Sequence, residues 1–218
     1  KTIRNQTKLV RGGLYRSSHG ETSEAIFMNS GYVFENAEQA EARFAGEETG
    51  YLYTRYGNPT VTMFEERMAL NEGSETCFAT ATGMSAVFAS LMCQLKSGDH
   101  VLSSRALFGS CFHIIDQILP RYGIATELID GTDSSQWEQK INKNTKCIFL
   151  ETPSNPTMEI IDIQHVSNIA HQHGALVIVD NIFASPILQK PINLGADIVV
   201  YSGTKHIDGQ GRSMGGAI

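Results

Sequence analysis

Ala196-Asp197-Ile198-Val199-Val200-Tyr201-Ser202-Gly203-Thr204-Lys205-His206 is the stretch that decides the fold. Its apolar run predicts a strand over 197–201 that is buried on both faces, which is the habit of a parallel sheet. The run gives way to small hydroxyl residues, a glycine and a lysine. Lys205, flanked by Ser202 and Thr204, reads as more than a surface charge, although a snorkelling or ion-paired lysine is the plain alternative. Upstream, Ala175-Leu176-Val177-Ile178-Val179-Asp180 ends a second apolar strand on a carboxylate, which is costly to bury unless paired.

Outward from these two strands, the chain alternates. A helix is expected from Asn58, with Asn58 as cap, Pro59 in the first turn, an apolar stripe of Phe64, Met68 and Leu70, and Gly73 at its end. Strands are expected over 75–81, 100–103, 124–129 and 146–151, and helices over 83–95, 109–121, 134–142 and 163–173. This order predicts an α/β domain over 58–218, with a mostly parallel sheet flanked by helices and ligands gathered at the carboxyl ends of the strands. Residues 1–57 hold no long periodic helix and read as an extended N-terminal arm. Met214-Gly215-Gly216-Ala217-Ile218 looks like the start of another strand. Because it stops there without a polar tail, the chain is expected to be the front part of a longer polypeptide.

Bulk composition narrows the function. The chain has 218 residues, 41% hydrophobic and 18% charged, enough to bury a sizeable core. A net charge of -6 without a Lys/Arg run argues against nucleic acid or an anionic membrane as partner. No apolar stretch approaches a membrane span, and Lys1–Val10 has no apolar signal core. Cys77, Cys93, Cys111 and Cys147 form no close pair and read as reduced cysteines of a cytoplasmic protein. No metal site is expected, because His171 and His173 are two apart on a predicted helix and cannot share a face.

Four segments fall near strand ends. Ala79-Thr80-Ala81-Thr82-Gly83-Met84-Ser85-Ala86 leads small residues into a helix start, where free amides and the dipole suit a phosphate; a plain capped helix is the alternative. Glu151-Thr152-Pro153-Ser154-Asn155-Pro156-Thr157 is a proline-stiffened loop that presents Asn155 to a ligand or to its own backbone. Asp180-Asn181 could serve a metal, a helix cap or a pyridinium. Ser202-Gly203-Thr204-Lys205 adds the amine. Together they give a phosphate cradle, a ring-contact loop, an acid and an amine, which is the set a pyridoxal phosphate enzyme needs. The lysine would form a Schiff base and the Asp would keep the pyridine nitrogen protonated.

On these motifs, and on Tyr53-Thr54-Arg55-Tyr56-Gly57-Asn58-Pro59-Thr60, the chain resembles the Cys/Met-metabolism family of pyridoxal-phosphate-dependent enzymes from about Thr7 to Ile218. The resemblance implies the fold-type I architecture. It implies Lys205 as the cofactor-bearing lysine and proton shuttle, Asp180 at the pyridine nitrogen and Asn155 at the phenolic oxygen. The Gly83 and Met84 amides and the Ser202 and Thr204 hydroxyls would hold the phosphate. Tyr53 and Arg55 would reach the phosphate of a neighbouring subunit, which implies a dimer, usually assembled to a tetramer. Phe108 stands where many relatives stack a Tyr on the ring, so stacking survives without the phenol. Ile182 stands where many have a Thr. The segments Lys205-His206-Ile207-Asp208-Gly209-Gln210-Gly211-Arg212, Tyr32-Val33-Phe34 and Arg43-Phe44-Ala45-Gly46 look like the O-succinylhomoserine sulfhydrylase branch. That branch implies γ-replacement on O-succinylhomoserine, or another O-acylhomoserine, with sulfide. Cystathionine γ-synthase or cystathionine and methionine lyase chemistry are the alternatives on the same scaffold. A truncated cofactor-binding module without turnover is the non-enzyme alternative, since in the family the arginine that grips the substrate α-carboxylate lies in a later domain.

Overall fold

A computed structural model describes residues 3–218. They divide into two compact units, one ending at Asn71 and one spanning Glu72–Ile218.

In the first unit, α1 (Asn5–Arg11) and α2 (Ala37–Ala45) bury none of their residues, as an arm of low hydrophobicity should. The Asn36 side chain caps α2 by accepting from the Gln39 amide at 2.8 Å, and Gly46 ends it at a φ of 76°, where glycine is unstrained. α3 (Pro59–Glu72) opens as its sequence foretells: Asn58 Oδ1 accepts from the Thr60 amide at 2.9 Å, with Pro59 in the first turn. Its buried face is Met63, Met68 and Ala69, while Leu70 is 43% exposed, so the expected stripe is rotated by part of a turn.

The second unit is a seven-stranded sheet in the order β1-β7-β6-β5-β4-β2-β3. The strands are β1 (Ala79–Thr80), β2 (His100–Ser104), β3 (Ala125–Ile129), β4 (Thr145–Glu151), β5 (Leu176–Asp180), β6 (Ile198–Ser202) and β7 (Gly216–Ala217). β3, β2, β4, β5 and β6 run parallel, and β7 lies antiparallel between β6 and β1. The helices are α4 (Gly83–Met92), α5 (Gly109–His113), α6 (Ser134–Lys140), α7 (Ile163–Gln172) and α8 (Ser185–Leu188). Val101, Leu102, Ile148, Phe149, Leu150, Val177, Ile178, Val179 and Val200 are wholly buried, including consecutive residues that point to opposite faces. Each such side chain contributes about 1.5–3 kcal/mol of transfer free energy. On one face Ala86, Val87 and Leu91 of α4 pack with Ile178 and Val200, which anchors the start of α4 over β6. Trp137 of α6 is fully buried and donates from Nε1 to the Gly131 carbonyl at 3.0 Å.

Two expected elements differ. The strand over 75–81 is reduced to Ala79–Thr80, because the segment pairs only with the short β7. The helix over 109–121 stops at His113, widens into a π-helical turn at Ile114–Ile118 and tightens into a 3-10 turn at Leu119–Tyr122. Pro120 is the reason: it has no N–H to donate and its ring collides with the preceding turn's carbonyl. The strand expected near 214–218 is β7. No helix among the described residues is long and apolar enough to cross a membrane.

Candidate active site

The parallel strands deliver their last residues to one edge. Glu151, Asp180 and Val200 lie side by side in register across β4, β5 and β6. Over this edge the second unit encloses a cavity of about 540 Å³. Gly83, Met84, Phe108, Asn155, Asp180, Ser202, Thr204 and Lys205 all line it. Tyr53 and Arg55 belong to the first unit, where the Arg55 guanidinium lies 5.2 Å from the ring centres of both Tyr53 and Tyr56.

The anion end is built by α4. Thr82 caps the helix: its Oγ1 accepts from the Ser85 amide at 3.0 Å, and its carbonyl accepts from the Ala86 amide at 3.1 Å. Helix geometry leaves the Gly83 and Met84 amides without an intrahelical acceptor, at the positive end of the dipole. Gly83 permits the close approach of α4 to β6, since a Cβ there would lie 2.6 Å from Ser202 Cβ. Thr204 Oγ1 accepts from the Gly215 amide at 3.3 Å, and the Gly203 amide donates to the Gly215 carbonyl at 2.8 Å. The chain at Lys205 departs from helical geometry, at φ -96° and ψ -114°, so the turn after β6 is broken at the lysine.

The acid end is built by burial. Asp180 is 1% exposed. Its Oδ1 accepts from the Ile182 amide at 3.1 Å, and its Oδ2 accepts from Cys111 Sγ at 3.8 Å. Burial, reinforced by the Glu151 charge, pushes the Asp180 carboxyl up to about 7, while the Ile182 amide opposes the shift. Burial and the facing carboxylates likewise push the Cys111 thiol up, so it stays protonated as a weak donor. Glu151 is buried too. Its Oε2 accepts from the Phe108 amide at 2.6 Å and its Oε1 from the Asn155 amide at 2.8 Å; burial raises its carboxyl and these amides work against the rise.

Sequence reasoning passed over Glu151 and Cys111. Glu151 carried a legible signal, a carboxylate ending an apolar strand in the same way as Asp180. Cys111 had none, because a cysteine in a helical segment reads as a small hydrophobe. Among the described residues no group of three or more His, Cys, Asp or Glu is placed to hold a metal.

The residues suit pyridoxal phosphate. The neighbours of the Asp180 carboxylate are an amide, a thiol and another carboxylate, so a ring N–H cation is the counterion that its surroundings lack. The fold is that of the fold-type I pyridoxal-phosphate-dependent enzymes, and the cavity residues fit that cofactor. The sequence model of the Cys/Met metabolism PLP-dependent enzymes matches residues 6–218, and the chain belongs to that family. It is 55% identical over 209 residues to an O-succinylhomoserine sulfhydrylase of Mycobacterium tuberculosis, covering 96% of this chain and 52% of that protein. It is 41% identical over 213 residues to an L-methionine gamma-lyase of Fusobacterium nucleatum subsp. polymorphum, covering 97% of this chain and 54% of the lyase. A crystal structure assigned as an O-acetylhomoserine (thiol)-lyase of Campylobacter jejuni superposes with a TM-score of 0.95 at 36% identity, covering 99% of this chain and 54% of its own. That protein carries an N'-pyridoxyl-lysine-5'-monophosphate residue. The chain thus spans about half the length of the curated relatives it matches.

Proposed function

We propose that the chain forms the cofactor-binding part of an enzyme that replaces the γ-acyloxy group of O-succinylhomoserine, or another O-acylhomoserine, with sulfide, giving homocysteine and succinate for methionine biosynthesis. The observation that carries this reading is that Asp180 and Lys205 line one cavity into which the N-terminus of α4 opens. The likeness to O-succinylhomoserine sulfhydrylase supports the choice of substrate.

Bound pyridoxal phosphate supplies an electron sink for the pair released at the substrate α-carbon. The residues do the rest. The Gly83 and Met84 amides, with the Ser202 and Thr204 hydroxyls, bind the phosphate. Asp180 would accept the pyridine N–H and hold that nitrogen protonated, Asn155 would donate to the phenolic oxygen, and Phe108 would stack on the ring. Lys205 would take the α-proton, hand it on within the site and, with its amine free again, take a proton from the β-carbon, so that the γ-acyloxy group can leave as succinate. After hydrosulfide adds at the γ-carbon, Lys205 would return its proton to the β-carbon, recover the one it had handed on, and deliver that to the α-carbon. Tyr53 and Arg55 bind the phosphate held by a second copy of the chain, which makes the assembly a dimer or tetramer. Residues 1–57 are then an arm serving the partner and residues 58–218 the cofactor domain of a cytoplasmic enzyme.

The likeness to methionine γ-lyase favours a second reading, elimination from methionine on the same site. Borohydride reduction and peptide mapping should place a pyridoxyl mass on Lys205, and Lys205→Ala should abolish it. Homocysteine and succinate from O-succinylhomoserine plus sulfide are expected. Turnover of methionine alone, without reaction of the acylated substrate, would replace the first reading by the second.

A further inference from the structure

We propose that Glu151 is a positioning residue that ties the loop carrying Phe108 to the loop carrying Asn155 and so fixes the gap in which the cofactor ring lies. This rests on the reading of the cavity given above. The two loops come from different parts of the chain, one following β2 and one following β4. Each backbone amide meets its own carboxylate oxygen, Phe108 at 2.6 Å and Asn155 at 2.8 Å. Glu151 is only 4% exposed, so the carboxylate end of each part-buried bond is withdrawn from water even though Phe108 and Asn155 themselves reach solvent. Both tethered residues line the cavity, as does Glu151 itself. A carboxylate is the side chain that can accept from two separate amides through two oxygens. A carboxamide offers one acceptor, and its NH2 would face a donor. The tether therefore places an aromatic ring and a side-chain amide at a set separation without either belonging to a sheet ladder.

The test compares wild-type protein with Glu151→Gln. Pyridoxal phosphate is titrated in, and the visible circular dichroism per mole of bound cofactor is recorded at saturation. Glu151→Gln should raise the cofactor Kd about tenfold and weaken the induced dichroism even at saturation, because one loop is released. An unchanged Kd with unchanged dichroism overturns the proposal. Failure of the wild type to bind cofactor overturns the functional reading, and the proposal with it. Should Glu151→Gln not fold, amide hydrogen exchange of the wild-type protein decides: the Phe108 and Asn155 amides must be protected, and rapid exchange of either rejects the tether.

Discussion

Glu151 and Asp180 end adjacent parallel strands in direct register, and both are almost completely removed from water. Side by side, two buried carboxylates cannot both ionise cheaply. The chain resolves this unevenly. Glu151 spends both oxygens on backbone amides, whereas Asp180 faces an amide and a thiol and is pushed up to about 7. The acid end of the cavity is therefore poised to welcome a cation.

Without cofactor, the stability of the fold should depend on pH. Asp180 binds its proton more tightly folded, at about 7, than unfolded, at 3.8. The folded state thus holds more protons across that window, and stability falls as pH rises through it, by up to about 4 kcal/mol. Glu151, raised in the same direction, adds to the trend. Urea midpoints of cofactor-free protein should be lower at about pH 8 than at about pH 5, and Asp180→Asn should flatten most of the difference. An equal slope in the variant would exclude Asp180 as its source.

Gly83→Ala tests the approach of α4 to β6. The added Cβ would lie 2.6 Å from Ser202 Cβ and 2.9 Å from its Cα, so the helix must retreat. A loss of about 1–3 kcal/mol is expected, together with weaker cofactor binding. Calorimetry and cofactor titration read the two effects; an unaltered cofactor Kd would detach the helix start from the phosphate.

Trp137→Phe is the remote control. It removes the donor to the Gly131 carbonyl and leaves part of a fully buried site empty. Stability should drop by about 2 kcal/mol while cofactor affinity stays at the wild-type value. A shift in affinity would mean that the α6 layer communicates with the site.

Arg212→Ala probes the acylated substrate. The Arg212 amide is held by Asp208 Oδ2 at 2.8 Å in an exposed turn, which leaves the turn itself independent of the guanidinium. KM for O-succinylhomoserine should rise several-fold with cofactor content unchanged. Steady-state kinetics beside cofactor absorbance check this, and unchanged kinetics would remove Arg212 from substrate recognition.

Much of this was legible in the chain. The apolar runs ending at Asp180 and leading to Ser202 announced buried parallel strands, because nothing but burial on both faces explains consecutive apolar residues of that length. The Thr82-Gly83 start of α4 was legible from capping chemistry. What escaped was tertiary. The break after His113 depends on how the turn relieves the clash of Pro120, and the loss of strand around Glu75 depends on the shortness of a distant partner, where Ala79 pairs with Ala217 and Thr80 with Gly216. Glu151's place at a strand end was legible, but its link to the Phe108 amide, 43 residues back in the chain, forms only on folding.

The placement of β7 has a consequence for biosynthesis. This strand, the last among the described residues, sits inside the sheet, between β6 and β1, with Gly216 packed against Thr80 and Thr82. On a translating ribosome the earlier strands can assemble from their own crossovers, yet the wall beneath the start of α4 is closed only after Ala217 has emerged. A chain lacking β7 would leave β6 and β1 without the strand that joins them and the floor beneath the start of α4 open.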